Sequence, residues 1–207
     1  MPNLWTDNKR AHGIDFETLT EISDIAGNDS GADHTYTWGK PHEWEKHYAF
    51  EWRELCMGYD FLKSVSPNKI NFNSELHYLS TVRSRDLYLK PSYARASFWL
   101  AHSYGMTASQ IWFWPRKADG RVTDRAGKGY AGSNNQQPRV TNEVAMTLID
   151  LNTNAELIMA MQRQRKPIRL FYSKTSAINN EKHMDNQFKM YEALHFEGSP
   201  LGFVTKN

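Results

Sequence analysis

The chain has 207 residues, of which 40% are hydrophobic and 23% charged, and its formal net charge is +2. This composition is typical of a globular protein, and the length is enough for one ordinary domain or two small ones. The small net charge, with basic and acidic residues interleaved along the chain, argues against a nucleic-acid partner.

Cysteine content and hydropathy exclude further classes of protein. The single cysteine, Cys56, rules out an internal disulfide and a cysteine-based metal cluster, and its apolar helical setting favours a buried thiol. No apolar run approaches the roughly 20 residues that cross a bilayer, so no membrane partner is expected. Residues 1–7 lack the basic and apolar regions of a signal peptide, which makes the cytoplasm the default location.

Apolar spacing predicts an alternation of helices and strands through most of the chain. Spacings of three and four residues predict helices, and alternation with period two predicts strands. The predicted helices cover residues 14–21, 43–66, 91–104 and 140–161. The predicted strands cover residues 22–27, 70–77 and 108–114. This order is typical of parallel sheets with helical crossovers, so the predicted fold class is α/β.

Pro167 marks the predicted domain boundary, between residues 1–166 and 167–207. The elements after it are a strand over 168–173, a helix over 184–194 and a strand over 201–204. That order is typical of the beginning of a doubly wound sheet. The turn after its first strand, residues 173–176, has no glycine-rich phosphate loop, so no nucleotide cofactor is expected.

The second predicted strand has two chemically different faces. Alternation places Ile70, Phe72, Ser74 and Leu76 on one side, and Asn71, Asn73, Glu75 and His77 on the other. The first face is mostly apolar, and the second carries groups that can touch a polar ligand.

Polar and aromatic side chains gather at the three predicted strand ends, where ligands of parallel α/β folds bind. The candidate site residues are Asn28 and Asp29 after the first strand, Asn73, Glu75 and His77 on the second, and Trp114 and Arg116 on the third. Carboxylate, amide, imidazole and guanidinium groups beside a large ring suit a sugar, whose hydroxyls need polar partners and whose C–H face stacks on aromatics. No pair of His or acidic residues has the spacing of metal ligands, so no metal is expected.

Each of these residues also has a structural alternative. Glu75 is a candidate catalytic carboxylate, but it also fits a solvated carboxylate at a strand end or an ion pair with Arg116. His77 also fits a residue that hydrogen-bonds to the side chains of the site without touching the substrate. Of Trp112 and Trp114, we favour Trp114 for stacking on a sugar because it lies nearer the strand end, and Trp112 for the core. The high aromatic content, 13% of the chain, fits either a carbohydrate cleft or a core rich in large rings.

The sequence resembles glycoside hydrolase family 42, a family of β-galactosidase-like retaining enzymes. The resemblance rests on residues 24–29, 73–77, 93–100, 105 and 111–114, and it extends over nearly the whole chain. It implies that residues 1–166 form about strands 6–8 of a (β/α)8 TIM barrel. It also implies that residues 167–207 begin the flavodoxin-like second domain, which supports trimer formation in the family.

The resemblance further implies roles for the candidate residues. Glu75 matches the catalytic nucleophile of a hydrolase acting on galactosides or related oligosaccharides. The residues matching substrate contacts are Asn28, Asp29, His77, Trp114 and Arg116, and Asn73 would orient the sugar or Glu75. The resemblance implies no cofactor and a carbohydrate as the partner, with a homo-oligomer as a further expectation.

One departure from the family separates three hypotheses. Retaining hydrolysis uses two carboxyl groups about 5–5.5 Å apart, and the family's acid/base glutamate follows strand four, which this chain does not reach. The pairs Asn142-Glu143 and Asn180-Glu181 fit helix starts better. We therefore expect a hydrolase portion completed by a missing part of the barrel. A catalytically inactive carbohydrate-binding or assembly fragment, or a self-contained α/β protein, are the alternatives.

Overall fold

The computed structural model describes residues 13–29, 43–76, 90–111, 118–121 and 138–206. The strands within these residues are β1 (Ile25–Asn28), β2 (Ile70–Leu76), β3 (Ala108–Ile111), β4 (Ile168–Phe171) and β5 (Leu201–Val204). The α-helices are α1 (Phe16–Ile22), α2 (Arg53–Val65), α3 (Pro91–Tyr104), α4 (Pro138–Thr153), α5 (Ala155–Gln162), α6 (Lys174–Asn179) and α7 (His183–His195), and Glu43–Lys46 form a 3-10 helix.

The described strands form two parallel sheets. The first has the order β1-β2-β3, and the second pairs β4 with β5. Helices connect successive strands, as parallel pairing requires. The predicted α/β class with parallel strands is therefore confirmed.

The single helix predicted over residues 43–66 is wrong in its first half. The structure has the short 3-10 helix, then a non-helical stretch, and α2 begins only at Arg53. The cause is Glu51, whose carboxylate accepts hydrogen bonds from the Arg53 backbone N–H (2.8 Å) and from the Arg53 guanidinium. This side-chain acceptor satisfies one of the free N–H groups at the first turn and so fixes where the helix starts.

The long helix predicted over residues 140–161 is divided into α4 and α5 at Asn154. The Asn154 amide donates to the main-chain oxygen of Asp150 at 2.8 Å, and asparagine favours such local bonds over helix continuation. Helix α6 was not predicted. Its first turn is capped by the Ser173 hydroxyl, which accepts from the Ser176 N–H at 3.2 Å.

Helix α2 is buried on both faces, between the two sheets. Every residue from 55 to 62 is buried. Phe61 packs edge-on against Tyr172 and Phe203, with ring centroids 4.8 and 5.5 Å away. The Phe203 N–H also donates to the Ser64 hydroxyl at 2.9 Å. The second sheet is thus packed directly on the helix that follows β1.

A buried carboxylate on α2 reinforces this junction. Asp60 is fully buried and accepts hydrogen bonds from the Lys166 ammonium (2.5 Å) and from the Tyr191 hydroxyl (2.7 Å). Burial raises the pKa of Asp60 to about 6, although the charge of Lys166 and both hydrogen bonds oppose the rise. Cys56, one turn earlier, is buried as predicted.

Helix α3 ends at Gly105, as predicted, and α4 packs against it. Gly105 has φ 143°, which favours glycine, and a Cβ there would lie 3.3 Å from the main-chain oxygen of Tyr59. Arg95 on α3 forms ion pairs with Glu143 (3.2 Å) and with Asp150, both on α4. Glu143 therefore stabilises a helix pair. No helix in the described ranges is long and apolar enough to cross a bilayer.

The raised pKa of Asp60 predicts a specific pH dependence of stability. The folded pKa is about 6 and the unfolded value about 4, so the folded state holds this proton more tightly. The free energy of unfolding should therefore decline, by up to about 3 kcal/mol, as pH rises from about 4 to about 6, and this contribution should be constant above that range. Asp60→Asn should lose this slope in denaturant titrations at pH 4, 5, 6 and 7.

Tyr191→Phe serves as the matched control, because it keeps the carboxyl group but removes one donor to it. In this variant the free energy of unfolding should still decline with pH, and the decline should extend to higher pH. The reason is that the ionised Asp60 carboxylate loses a hydrogen bond, which raises its pKa further. An identical pH slope in the wild type and Asp60→Asn would contradict the assignment.

Candidate active site

The candidate site lies at the carboxyl ends of the first sheet. Because β1 and β2 are parallel and Asn28 pairs with Asn73, these two amides lie side by side at the strand ends. Asp29 follows directly, and Glu75 lies two residues further along β2. The other predicted site residues, His77, Trp114 and Arg116, lie outside the described residues.

The expected assignment of faces along β2 is wrong at Glu75. Pairing with β3 runs from Asn73–Ser109 to Leu76–Ile111, so two residues of β2, 74 and 75, lie opposite one residue of β3. This irregularity is a β-bulge, and it shifts the alternation by one position. Asn73 and Leu76, both fully buried, therefore share the helix-covered face, and Glu75 lies on the opposite face.

The amide-bearing face, not the apolar one, is the face that the helices cover. Asn71 and Asn73 have no exposed surface, whereas Ile70 on the other face is 51% exposed. The Asn71 amide donates to the Gly105 carbonyl at 3.2 Å, which ties β2 to the end of α3. Period-two alternation separates the two faces correctly at these positions, but it cannot say which one is buried.

Asn73 holds the bulge in place. Its side-chain oxygen accepts a hydrogen bond from the Glu75 backbone N–H at 3.1 Å. The amide replaces the ladder partner that the bulge removes from Glu75, because a buried N–H needs an acceptor. Asn73 is therefore a positioning residue: it fixes the backbone from which the half-buried Glu75 side chain projects.

Tyr59 of α2 lies beneath the site and was not among the predicted site residues. Burial raises the pKa of Tyr59 well above its usual range, the negative charge of Asp29 raises it further, and the nearby Asn73 side chain partly opposes the rise. The phenol is thus neutral and close to both strand ends. Its place at helical spacing among apolar residues indicated only a core position, and nothing local pointed to the neighbouring strands.

The arrangement combines a carboxylate on an open sheet face with buried amides behind it. Asn28 is 1% exposed and Asn73 not exposed, while Glu75 is half-buried. Such a carboxylate can act as a nucleophile, and the amides hold the backbone around it. In the part of the chain that the structure describes, no group of three or more His, Cys, Asp or Glu side chains is placed to hold a metal ion.

The structure matches solved glycoside hydrolases. An exo-carrageenase of glycoside hydrolase family 42 (GH42) from Bacteroides ovatus, solved in its apo form, matches 99% of this chain at 55% sequence identity with a TM-score of 0.87. Over almost its whole length the chain matches a segment of that enzyme. The resemblance to this family is therefore confirmed.

Two more distant GH42 structures share the fold. They are the β-galactosidase Gan42B and its catalytic mutant from G. stearothermophilus, each 14% identical over 93% of this chain, with TM-scores of 0.62 and 0.60. The chain spans 28% of the length of each of these three proteins. No protein-family model matches the sequence, and no curated protein does.

Removing the Asn73 side chain should free the Glu75 backbone. Asn73→Ala and Asn71→Ala each delete one buried amide of β2. The Asn73 amide accepts a hydrogen bond from Glu75, and the Asn71 amide donates one to Gly105. Each should lower the free energy of unfolding by about 1 kcal/mol. Only Asn73→Ala should accelerate amide hydrogen exchange at Glu75, by about tenfold beyond the global change, measured by NMR. Equal acceleration in both variants would argue against a specific role for Asn73.

Proposed function

We propose that this chain carries the nucleophile of a retaining glycoside hydrolase and that Glu75 is that nucleophile. The observation that carries the proposal is the bulge at the carboxyl end of β2, which turns Glu75 towards the open face of the sheet while Asn73 fixes its backbone. Ligands of parallel α/β folds bind at this end of the strands. The close likeness to a GH42 enzyme supports the same function.

The chemistry follows from one attacking carboxylate and one proton donor. A Glu75 oxygen forms a bond to the anomeric carbon as the bond from that carbon to the leaving oxygen breaks. The leaving oxygen takes a proton from the acid/base carboxyl group. Water, deprotonated by the same group, then attacks the anomeric carbon and releases Glu75. The acid/base would come from a part of the protein outside these 207 residues.

The proposed placement of the chain is the end of a barrel and the beginning of a second domain. We assign β1–β3 to strands 6–8 of a (β/α)8 barrel within residues 1–166, and residues 167–207 to the beginning of a flavodoxin-like domain. Supporting this, one face of the first sheet is covered by helices, while Ile25 and Ile70 on the other are 44% and 51% exposed. In a closed barrel these two side chains would fill the interior.

The proposed substrate is a carrageenan-derived galactoside, cleaved from a chain end. The 55%-identical relative is an exo-carrageenase, and carrageenan is a sulfated galactan. The residues that would contact the sugar are Asn28, Asp29, His77, Trp114 and Arg116. A homo-oligomer remains part of the proposal, through the second domain.

A mechanism-based inhibitor tests the nucleophile directly. In the protein at its full encoded length, a 2-deoxy-2-fluorogalactoside should form a stable adduct on Glu75, identified by peptide mass spectrometry. Glu75→Gln should lower kcat on carrageenan oligosaccharides by a factor on the order of 10³ or more, because a neutral amide is a poor nucleophile.

Glu143→Gln is the matched control, since it makes the same change at a glutamate that pairs with Arg95 on the helical layer. It should retain activity and lose at most about 1 kcal/mol of stability. An active enzyme labelled on another residue would refute Glu75. Saccharide binding without turnover by the full protein would instead favour the inactive carbohydrate-binding alternative.

A further inference from the structure

A basic groove lies at the opposite end of the first sheet from the candidate active site. It is an open depression of about 810 Å³. Its walls include the turn before β2, the residue before β3 and the segment between α5 and β4, which places it at the amino ends of these strands. Among the described residues, six cationic side chains line it and no carboxylate does: Lys63, Lys69, Arg163, Arg165, Lys166 and Arg169.

Most of the charge in the basic groove is uncompensated within the described ranges. Only Lys166 has an ion-pair partner there, the buried Asp60. Lys63 and Lys69 donate to main-chain carbonyl oxygens, which satisfy their N–H groups without neutralising them. Burial lowers the pKa of Lys63, and the positive charge of Arg163 lowers it further. Like charges held this close favour an anionic ligand.

The sequence concentrates cations where the groove is formed. Residues 157–180 contain no Asp or Glu and five basic residues, in a chain whose net charge is only +2. Arg163 and Arg165 follow α5 with exposed side chains, and Arg169 is exposed on β4. Folding then adds Lys63 and Lys69 from a segment about 100 residues earlier. The local excess of positive charge is therefore much larger than the composition indicates.

The neutral lining of the groove discriminates between anionic ligands. Gln164 and Asn68 offer exposed amides, and Thr107 offers a hydroxyl, all suited to sugar hydroxyl groups. Guanidinium groups bind oxyanions such as sulfate through paired hydrogen bonds. Single-stranded nucleic acid is typically bound with the help of exposed aromatic rings, and the aromatic residue in this lining, Phe203, is 3% exposed.

We propose that the basic groove binds a sulfated galactan chain, at a site separate from the catalytic carboxylate. Its arginines would take the sulfate esters and its amides the hydroxyls. The identity of the ligand rests on the proposed function, which supplies a sulfated galactan as the polymer that the protein meets. Because the groove and Glu75 lie at opposite ends of the strands, the groove holds a stretch of polymer remote from the bond being cleaved.

Affinity electrophoresis through gels containing carrageenan tests this site on the full-length protein. Arg163→Gln/Arg165→Gln should weaken retention about tenfold, and more so at low salt, because exposed charge contacts are screened. Hydrolysis of a small aryl galactoside should be unchanged. Arg139→Gln/Lys189→Gln is the matched control, with the same loss of charge from exposed positions outside the groove. Its retention should equal that of the wild type.

Parallel gels define the ligand. Desulfated galactan should give little retention, and millimolar inorganic sulfate should compete only weakly with the sulfated polymer. Equal retention of the groove and control variants would overturn the proposal. Two further results would overturn it. One is retention by single-stranded DNA that depends on the groove and is as strong as retention by carrageenan. The other is strong competition by inorganic sulfate below millimolar concentration. Loss of carrageenan retention in the groove variant without Glu75 labelling would leave the groove standing and refute the proposed nucleophile.

Discussion

The buried carboxylate of Asp60 is the constraint on which the arrangement of the two sheets depends. A buried charge without partners costs several kcal/mol, so Lys166 and Tyr191 must be in place when α2 is packed. Lys166 lies just before β4, and Tyr191 lies on α7, the helix that precedes β5. Gly202 on β5 completes the junction, because a Cβ there would come within 3.0 Å of the Lys166 side chain. The second sheet is therefore held against α2 at close range.

Helix α2 links this junction to the candidate active site. One side carries Phe61 towards Tyr172 and Asp60 towards α7, and another brings Tyr59 beneath the ends of β1 and β2. A shift of the helix would therefore disturb both places. This explains why its middle two turns are wholly buried: they act as a packing layer between two sheets, where a surface helix would show one polar face.

The two ends of the first sheet have different chemistry. At the carboxyl ends, buried amides hold a bulge that presents Glu75 to the open face. At the amino ends, six cationic side chains line the basic groove, and one of them, Lys166, also pairs with Asp60. The proposed cleavage at one end and the proposed polymer binding at the other are compatible, because the candidate active site and the basic groove use different residues.

The sequence by itself determined the features that depend on neighbouring residues. Local periodicity determined the α/β class and the strand over β2. The glycine at position 105 determined the end of α3, because glycine adopts φ 143° more readily than any other residue type. Through its resemblance to GH42 it also directed attention to Glu75. Only the tertiary structure decided the late start of α2, which faces of β2 are buried, and the bulge that moves Glu75 to the opposite face. It also decided the basic groove. Each of these depends on pairing between distant segments, which no local pattern records.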